Sequence, residues 1–248
     1  MAHLDTVLQW GFWIFFCGIL GLFLVVFVGV NLVLFFAKRD PAKRRKDLEA
    51  FAAENGLRFS PDGSDVLAAR LATVPPFGMF VVKKYVNVFE GAVDGRSMVL
   101  FDYEVGSASA GNQAAHREVV FYHTACLSPT GLSCPDLVIR PRRLDDKVLN
   151  SFGCEEIAFE SVEFSKVFRV KSSSRKFAYD VCHPRMMELL LANRRWHVQL
   201  TGGLFLLLTE RESKPEELRA ALDFAKRFLD LIPDFVHKEY QERAAGNR

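Results

Sequence analysis

The hydrophobic pattern is dominated by one run without a single charge, from Thr6 to Ala37. A helix crossing a bilayer needs about 20 apolar residues. The run therefore predicts a transmembrane helix over residues 7–37, with a surplus that lets it tilt or extend beyond the hydrocarbon. Trp10 and Trp13 stand near its start, where indole rings favour the headgroup level. Residues 1–6 contain no Lys or Arg, and Lys38-Arg39-Asp40 follows the run, so a cleaved signal peptide is not expected.

Beyond residue 40 the period changes. Asp40-Pro41 reads as a helix start and Gly56 as a left-handed stop, with Leu48 and Phe51 on the apolar side between them. Pro61-Asp62-Gly63 is a turn, and a short helix through Leu71 follows. Alternating stretches at Tyr85–Val93 and Arg96–Val105, joined by Asp94-Gly95, predict a hairpin with a type I′ turn. Residues 106–116 read as a loop. Strands follow at 117–127, 136–140, 157–159 and 167–170, with a helix at 184–193 whose inward residues are Met187, Leu190 and Leu191. A second hairpin pairs 196–200 with 204–209. Ser213-x-x-Glu216 resembles a capping box. Behind it, Leu218, Ala221, Leu222, Ala225, Phe228, Leu229 and Ile232 fall on one helix face. Strands follow strands without intervening helices, a spacing that does not suggest a doubly wound parallel sheet. The expected class is α+β: an N-terminal transmembrane helix, then a mostly antiparallel sheet domain with packed helices. The segments are a short extracytoplasmic tail (1–6), the membrane helix (7–37), a basic juxtamembrane segment and stalk helix (38–56), the α+β domain (57–235) and a charged tail (236–248).

Charge sets the orientation. Lys38, Arg39, Lys43, Arg44, Arg45 and Lys46 flank the run on its C-terminal side, against Asp5 and His3 on the other. The positive-inside rule puts the N-terminus outside and the domain in the cytoplasm. The same six cations can attract anionic lipid at about 1 kcal/mol each near the surface. Residues 1–46 hold six of the 32 Lys and Arg and two of the 30 Asp and Glu, so the remainder carries 26 against 28, about −2. A domain this close to neutral is not expected to bind nucleic acid. Within the membrane run, Gly11, Gly18 and Gly29 align within roughly 20° on one helix face. Gly21 forms a small-xxx-small pair with Cys17 beside them. Such a stripe lets another transmembrane helix approach closely, as a homo-oligomer or a complex subunit.

Residues patterned for chemistry are few. The sequence contains no GxxxxGK[ST], GxGxxG, HExxH or GxSxG motif and no CxxC pair. His123-x-x-Cys126 and Cys182-His183 are the nearest approach to a metal half-site or a thiol nucleophile, but in an extended chain each pair diverges. Asp145-Asp146 and Glu155-Glu156 read as solvated charge, as do the clusters Arg140, Arg142, Arg143 and Lys166, Arg169, Lys171, Arg175, Lys176. No catalytic residue, metal or cofactor is expected, and a cytoplasmic domain keeps its thiols reduced.

The segment from Phe164 to Val170, the stretch from Ala178 to Leu190, the strand pair and terminal helix after them, and the hairpin from Asn87 to Tyr103 resemble bacterial single-pass membrane-anchored proteins containing a domain of unknown function. The resemblance covers about residues 50–235. It implies a bacterial inner-membrane protein and brings no catalytic residues. Two function classes follow. One is an accessory or scaffold protein presenting its α+β domain within a membrane protein complex. The other is a membrane-bound enzyme or small-ligand sensor with an unrecognised site.

Overall fold

The structure is a computed structural model; it describes residues 23, 26–27, 41–63, 65–72, 74, 77, 82–107, 119–142, 156–209 and 213–246. Almost all of the predicted membrane helix lies outside the described residues; of it, Phe23, Val26 and Phe27 are described, and they are helical and exposed. Among the described residues no helix is long and apolar enough to cross a membrane. The chain divides into two units, Met1–Asp47 and Leu48–Arg248, and the architecture that follows is that of the second.

Eight strands form one sheet in which every pairing is antiparallel: β1 (Arg58–Ser60), β2 (Val82–Val93), β3 (Arg96–Ser107), β4 (Val119–Pro129), β5 (Leu137–Pro141), β6 (Phe168–Ser172), β7 (His197–Thr201) and β8 (Leu204–Leu208). The spatial order is β1-β2-β3-β4-β8-β7-β5-β6. The chain lays down a four-stranded meander and crosses to the far side for β5 and β6. The β7–β8 hairpin then fills the gap between β5 and β4. Both two-residue turns adopt the positive φ that a type I′ hairpin requires, at Asp94 (49°) and Gly95 (80°), and at Gly202 (54°) and Gly203 (78°).

Among the described residues from Pro41 onward there are seven helices: α1 (Pro41–Glu54), α2 (Asp65–Leu71), α3 (Val162–Val167), α4 (Arg175–Val181), α5 (Pro184–Ala192), α6 (Pro215–Asp230) and α7 (Asp234–Gly246). Alternation along each strand sends successive side chains to opposite faces. One face (Phe89, Met98, Leu100, Cys126, Ile139, Val170, Val198, Phe205, Leu207) shares a core with residues of every helix except α2. The other face (Val88, Val99, Phe101, Tyr103, Leu127, Leu206) packs on Leu67 and Leu71 of α2 and on Phe77. There Phe77 meets Tyr103 and Phe101 with centroids 5.1 and 5.6 Å apart, an edge-and-tilt geometry that aromatic quadrupoles favour. The expected α+β class with an antiparallel sheet is therefore present.

The elements also depart from expectation at definite points. The apolar side expected of the stalk helix at Leu48 and Phe51 is buried, with Ala52, in the main core, so the end of this helix belongs to the domain, and Phe51 meets Phe89 edge-on at 5.3 Å. The predicted strand at 157–159 is irregular backbone. Ile157 N–H donates to the Val170 carbonyl at 2.9 Å and a lone bridge joins Glu156 to Lys171, which extends the β6 edge by one step only. The helix start at Ser213 shifts by one. Lys214 holds the cap position, Pro215 the first helical one, and Glu217 Oε2 accepts from the Lys214 N–H at 3.0 Å. Ser213 is instead buried, its N–H donating to Thr124 Oγ1 at 2.9 Å. The segment read as a charged tail forms α7, with Val236 and Tyr240 fully enclosed.

Candidate functional site

Three short helices after β5 build a concavity among the described residues. Ser161 caps α3, its Oγ accepting from the Phe164 N–H at 3.3 Å, and Ser174 caps α4 in the same way, accepting from Phe177 N–H at 3.3 Å. In both helices the third residue after the cap is a buried Phe, so the cap satisfies an orphan donor while the ring fixes the helix to the core. Pro184 starts α5 at its first position, where a missing N–H costs nothing.

Between these helices lies an open groove of about 660 Å³. Its floor is apolar: Phe159, Tyr179, Met187 and Leu191, with Cys182 beneath. Tyr179 is 46% exposed, packs edge-on against Phe159 at 5.1 Å, and donates its hydroxyl to the Ala158 carbonyl at 2.9 Å. That hydrogen bond holds a large ring at the surface instead of letting it fold inward. Val162 at the start of α3 is 65% exposed. Three carboxylates line the same groove, Glu160, Glu163 and Glu188, with no Lys or Arg among the lining residues. Glu163 pairs with Arg194 at 3.1 Å. His183, at the α5 cap, has its Nε2 2.9 Å from the Leu231 carbonyl; an acceptor there assigns the proton to Nε2 and commits the ring to that bond.

The inward face of α5 differs from the expected one. Met186, Leu189 and Leu190 are buried, whereas Met187 and Leu191 are half-buried on the groove side. Apolar residues occupy two adjacent stripes of this helix, and the periodicity does not say which of them faces the sheet.

Most residues singled out for chemistry are engaged elsewhere. Cys126 and Cys182 are buried free thiols; burial pushes the Cys126 thiol up to about 12 and raises that of Cys182 as well. Thiols held protonated in this way are poor nucleophiles. Glu156 carries Arg142 and Arg169, the latter at 2.9 Å. Lys176 sits between Glu239 and Asp180 at 2.6 and 2.9 Å, and these two carboxylates raise its pKa. Among the described residues no three of His, Cys, Asp and Glu converge as a metal site. The proposed helix-contact glycines, Gly11, Gly18, Gly21 and Gly29, and the cations Lys38 and Arg39 lie outside the described residues. Lys43, Arg45 and Lys46 are exposed on α1, and Arg44 is half-buried.

One titrating group is set apart by its surroundings. His197 on β7 keeps a partly exposed edge, but its Nε2 is enclosed without a hydrogen-bond partner. Burial, then repulsion from Arg140, lowers its pKa from 6.5 to about 3. Between those values the unfolded chain binds a proton that the folded one refuses. Stability is therefore complete above pH 6.5 and declines as the pH falls towards 3, by at most about 1.4 kcal/mol per unit, less for the residual exposure. Thermal midpoints from pH 7 to 4 should fall less steeply for His197→Leu than for wild type. Parallel curves would show that the ring titrates normally.

No protein family matches the chain at the sequence level, and no curated protein matches it either. Among solved structures, the chain is similar to the crystal structure of the mycobacterial trehalose monomycolate transport factor A, TtfA, with a TM-score of 0.51 and 15% identity, over 75% of this chain and 92% of that one. The two share a fold at that level.

Proposed function

We propose that the protein is a single-pass membrane-anchored accessory or scaffold protein that presents its α+β domain to a partner within a bacterial inner-membrane complex. The observation that carries this reading is the groove. Its lining joins Phe159, Met187 and Leu191 to Tyr179, which stays exposed with its hydroxyl bonded to the Ala158 carbonyl, and such a concave surface can receive a partner segment. The fold shared with a protein named as a transport factor is compatible with an accessory role. The uncharged run over 7–37 supports an anchor, and the cations from Lys38 to Lys46 favour a cytoplasmic domain beside anionic lipid by the positive-inside rule. The stripe Gly11, Gly18, Gly21 and Gly29 offers a seam to another transmembrane helix. This is also the setting that the resemblance to single-pass proteins with a domain of unknown function implies.

The test is solubilisation of the full chain in mild detergent. It should resist alkaline extraction from membranes and co-purify with a stoichiometric membrane partner. Replacing Gly18 with Leu should weaken that association while leaving insertion intact. A chain that washes off the membrane, or that elutes alone in every mild detergent, would overturn the reading.

A further inference from the structure

We propose that the groove between α3, α4 and α5 is the docking site for a basic amphipathic helix of the partner protein. This inference rests on the accessory reading above and names the chemistry of its occupant.

The shape comes first. An amphipathic helix presents an apolar stripe at i, i+3, i+4 and i+7 and needs an open trough with an apolar floor. The groove is partly open to solvent, and Phe159, Tyr179, Met187 and Leu191 are the large apolar side chains of its lining. Met187 is an adaptable floor residue, because its unbranched thioether repacks around different partners. Tyr179 supplies rigid area at low entropic cost.

Charge then selects among occupants. Glu160, Glu163 and Glu188 line the groove, and its lining residues include no Lys or Arg. Glu163 is answered by Arg194. Glu160 and Glu188 have no ion pair among the described residues and are exposed. An anionic lipid surface or an acidic segment would be repelled by them. A helix with Lys or Arg flanking its apolar stripe would meet two unanswered carboxylates at the edge of the contact. Such rim charges chiefly set encounter rate and partner choice.

The closing experiment uses the full chain in detergent or nanodiscs and three probes: a labelled Leu/Lys amphipathic helical peptide, the same peptide with Glu for Lys, and anionic phosphatidylglycerol vesicles. The double variant Glu160→Lys, Glu188→Lys alters exposed side chains only, and its thermal midpoint confirms folding. The basic peptide should bind wild type, weaken with salt, and lose about tenfold in the double variant, the scale set by two exposed charge pairs. Leu191→Glu should abolish binding through the floor. The acidic peptide should not bind, and vesicle binding should not fall below wild type in either variant. Equal binding of the basic peptide by wild type and both variants would overturn the proposal. So would vesicle capture by the wild-type groove that Leu191→Glu removes. The two readings fail separately. A native partner that co-purifies equally with wild type and Leu191→Glu refutes the groove and leaves the accessory role standing. Absence of any partner with wild type refutes the accessory role, whatever the peptides do.

Discussion

Ending the chain after Pro233 is expected to destabilise the domain by about 3–6 kcal/mol. The removed segment is α7, whose Val236 and Tyr240 are 0% and 2% exposed. Burying an apolar side chain of that size contributes about 1.5–3 kcal/mol. Tyr240 also packs on Phe177 at 5.0 Å with the rings at 71°, and its carbonyl accepts the Ser133 N–H at 3.2 Å. Truncation uncovers Phe177 and orphans that donor. The pair between Lys176 and Glu239 adds little, because solvent screens an ion pair whose lysine is exposed. Denaturant unfolding of the truncated and full chains measures the difference. An unchanged midpoint would make α7 an appendage.

Phe228→Ala is expected to cost about 3–5 kcal/mol, the usual range for deleting a buried ring and leaving its cavity. Phe228 is fully buried on α6, 5.2 Å from Phe205 on β8 and 6.1 Å from Phe224 on the same helix. It therefore fastens the longest described helix to the inserted hairpin at the centre of the sheet. In a domain of this size each kcal/mol moves the thermal midpoint by about 2–4 °C, so the variant should melt roughly 10 °C lower. Phe235→Ala is the control. That ring is 53% exposed, and its loss should stay within about 0.5 kcal/mol. Equal shifts for the two variants would mean that the α6 contact is not the one holding the sheet.

These two expectations mark where the sequence is informative and where it is not. The face of α6 is legible because one apolar stripe stands against charged residues on every other side, and a helix with one such stripe has one way to dock. The hairpins at Asp94-Gly95 and Gly202-Gly203 are legible because only residues tolerant of positive φ fit those turns. The segment after Pro233 is harder. Its apolar residues are few and its charges many, so Val236 and Tyr240 do not announce a buried face. They become core only because Phe177 and the loop at Ser133 stand where they land.

The groove lies beyond local pattern for a related reason. Its helices α3 and α4 are six and seven residues long, too short for a periodicity to register, and their one local signal is a Ser three residues ahead of a Phe. Buried polar groups show the same limit. Asn87 Nδ2 donates to Asp102 Oδ2 at 2.9 Å, Thr124 Oγ1 donates to Asp102 Oδ1, and Ser213 donates to Thr124. Single bonds in this network join residues up to 89 positions apart in the chain; the register of β2, β3 and β4 brings Asn87, Asp102 and Thr124 together, and the chain after β8 returns Ser213 to them.

Local physics along the chain thus determined the α+β class, the antiparallel hairpins and the docking face of α6, because backbone φ preferences and one-sided burial act within a few residues. The strand order β4-β8-β7-β5, the choice between two apolar stripes on α5, the burial of α7 and the meeting of Glu160, Tyr179 and Leu191 around one groove were decided by tertiary structure. Each depends on which distant surface covers an element, and that free-energy gain appears only when both surfaces are in place.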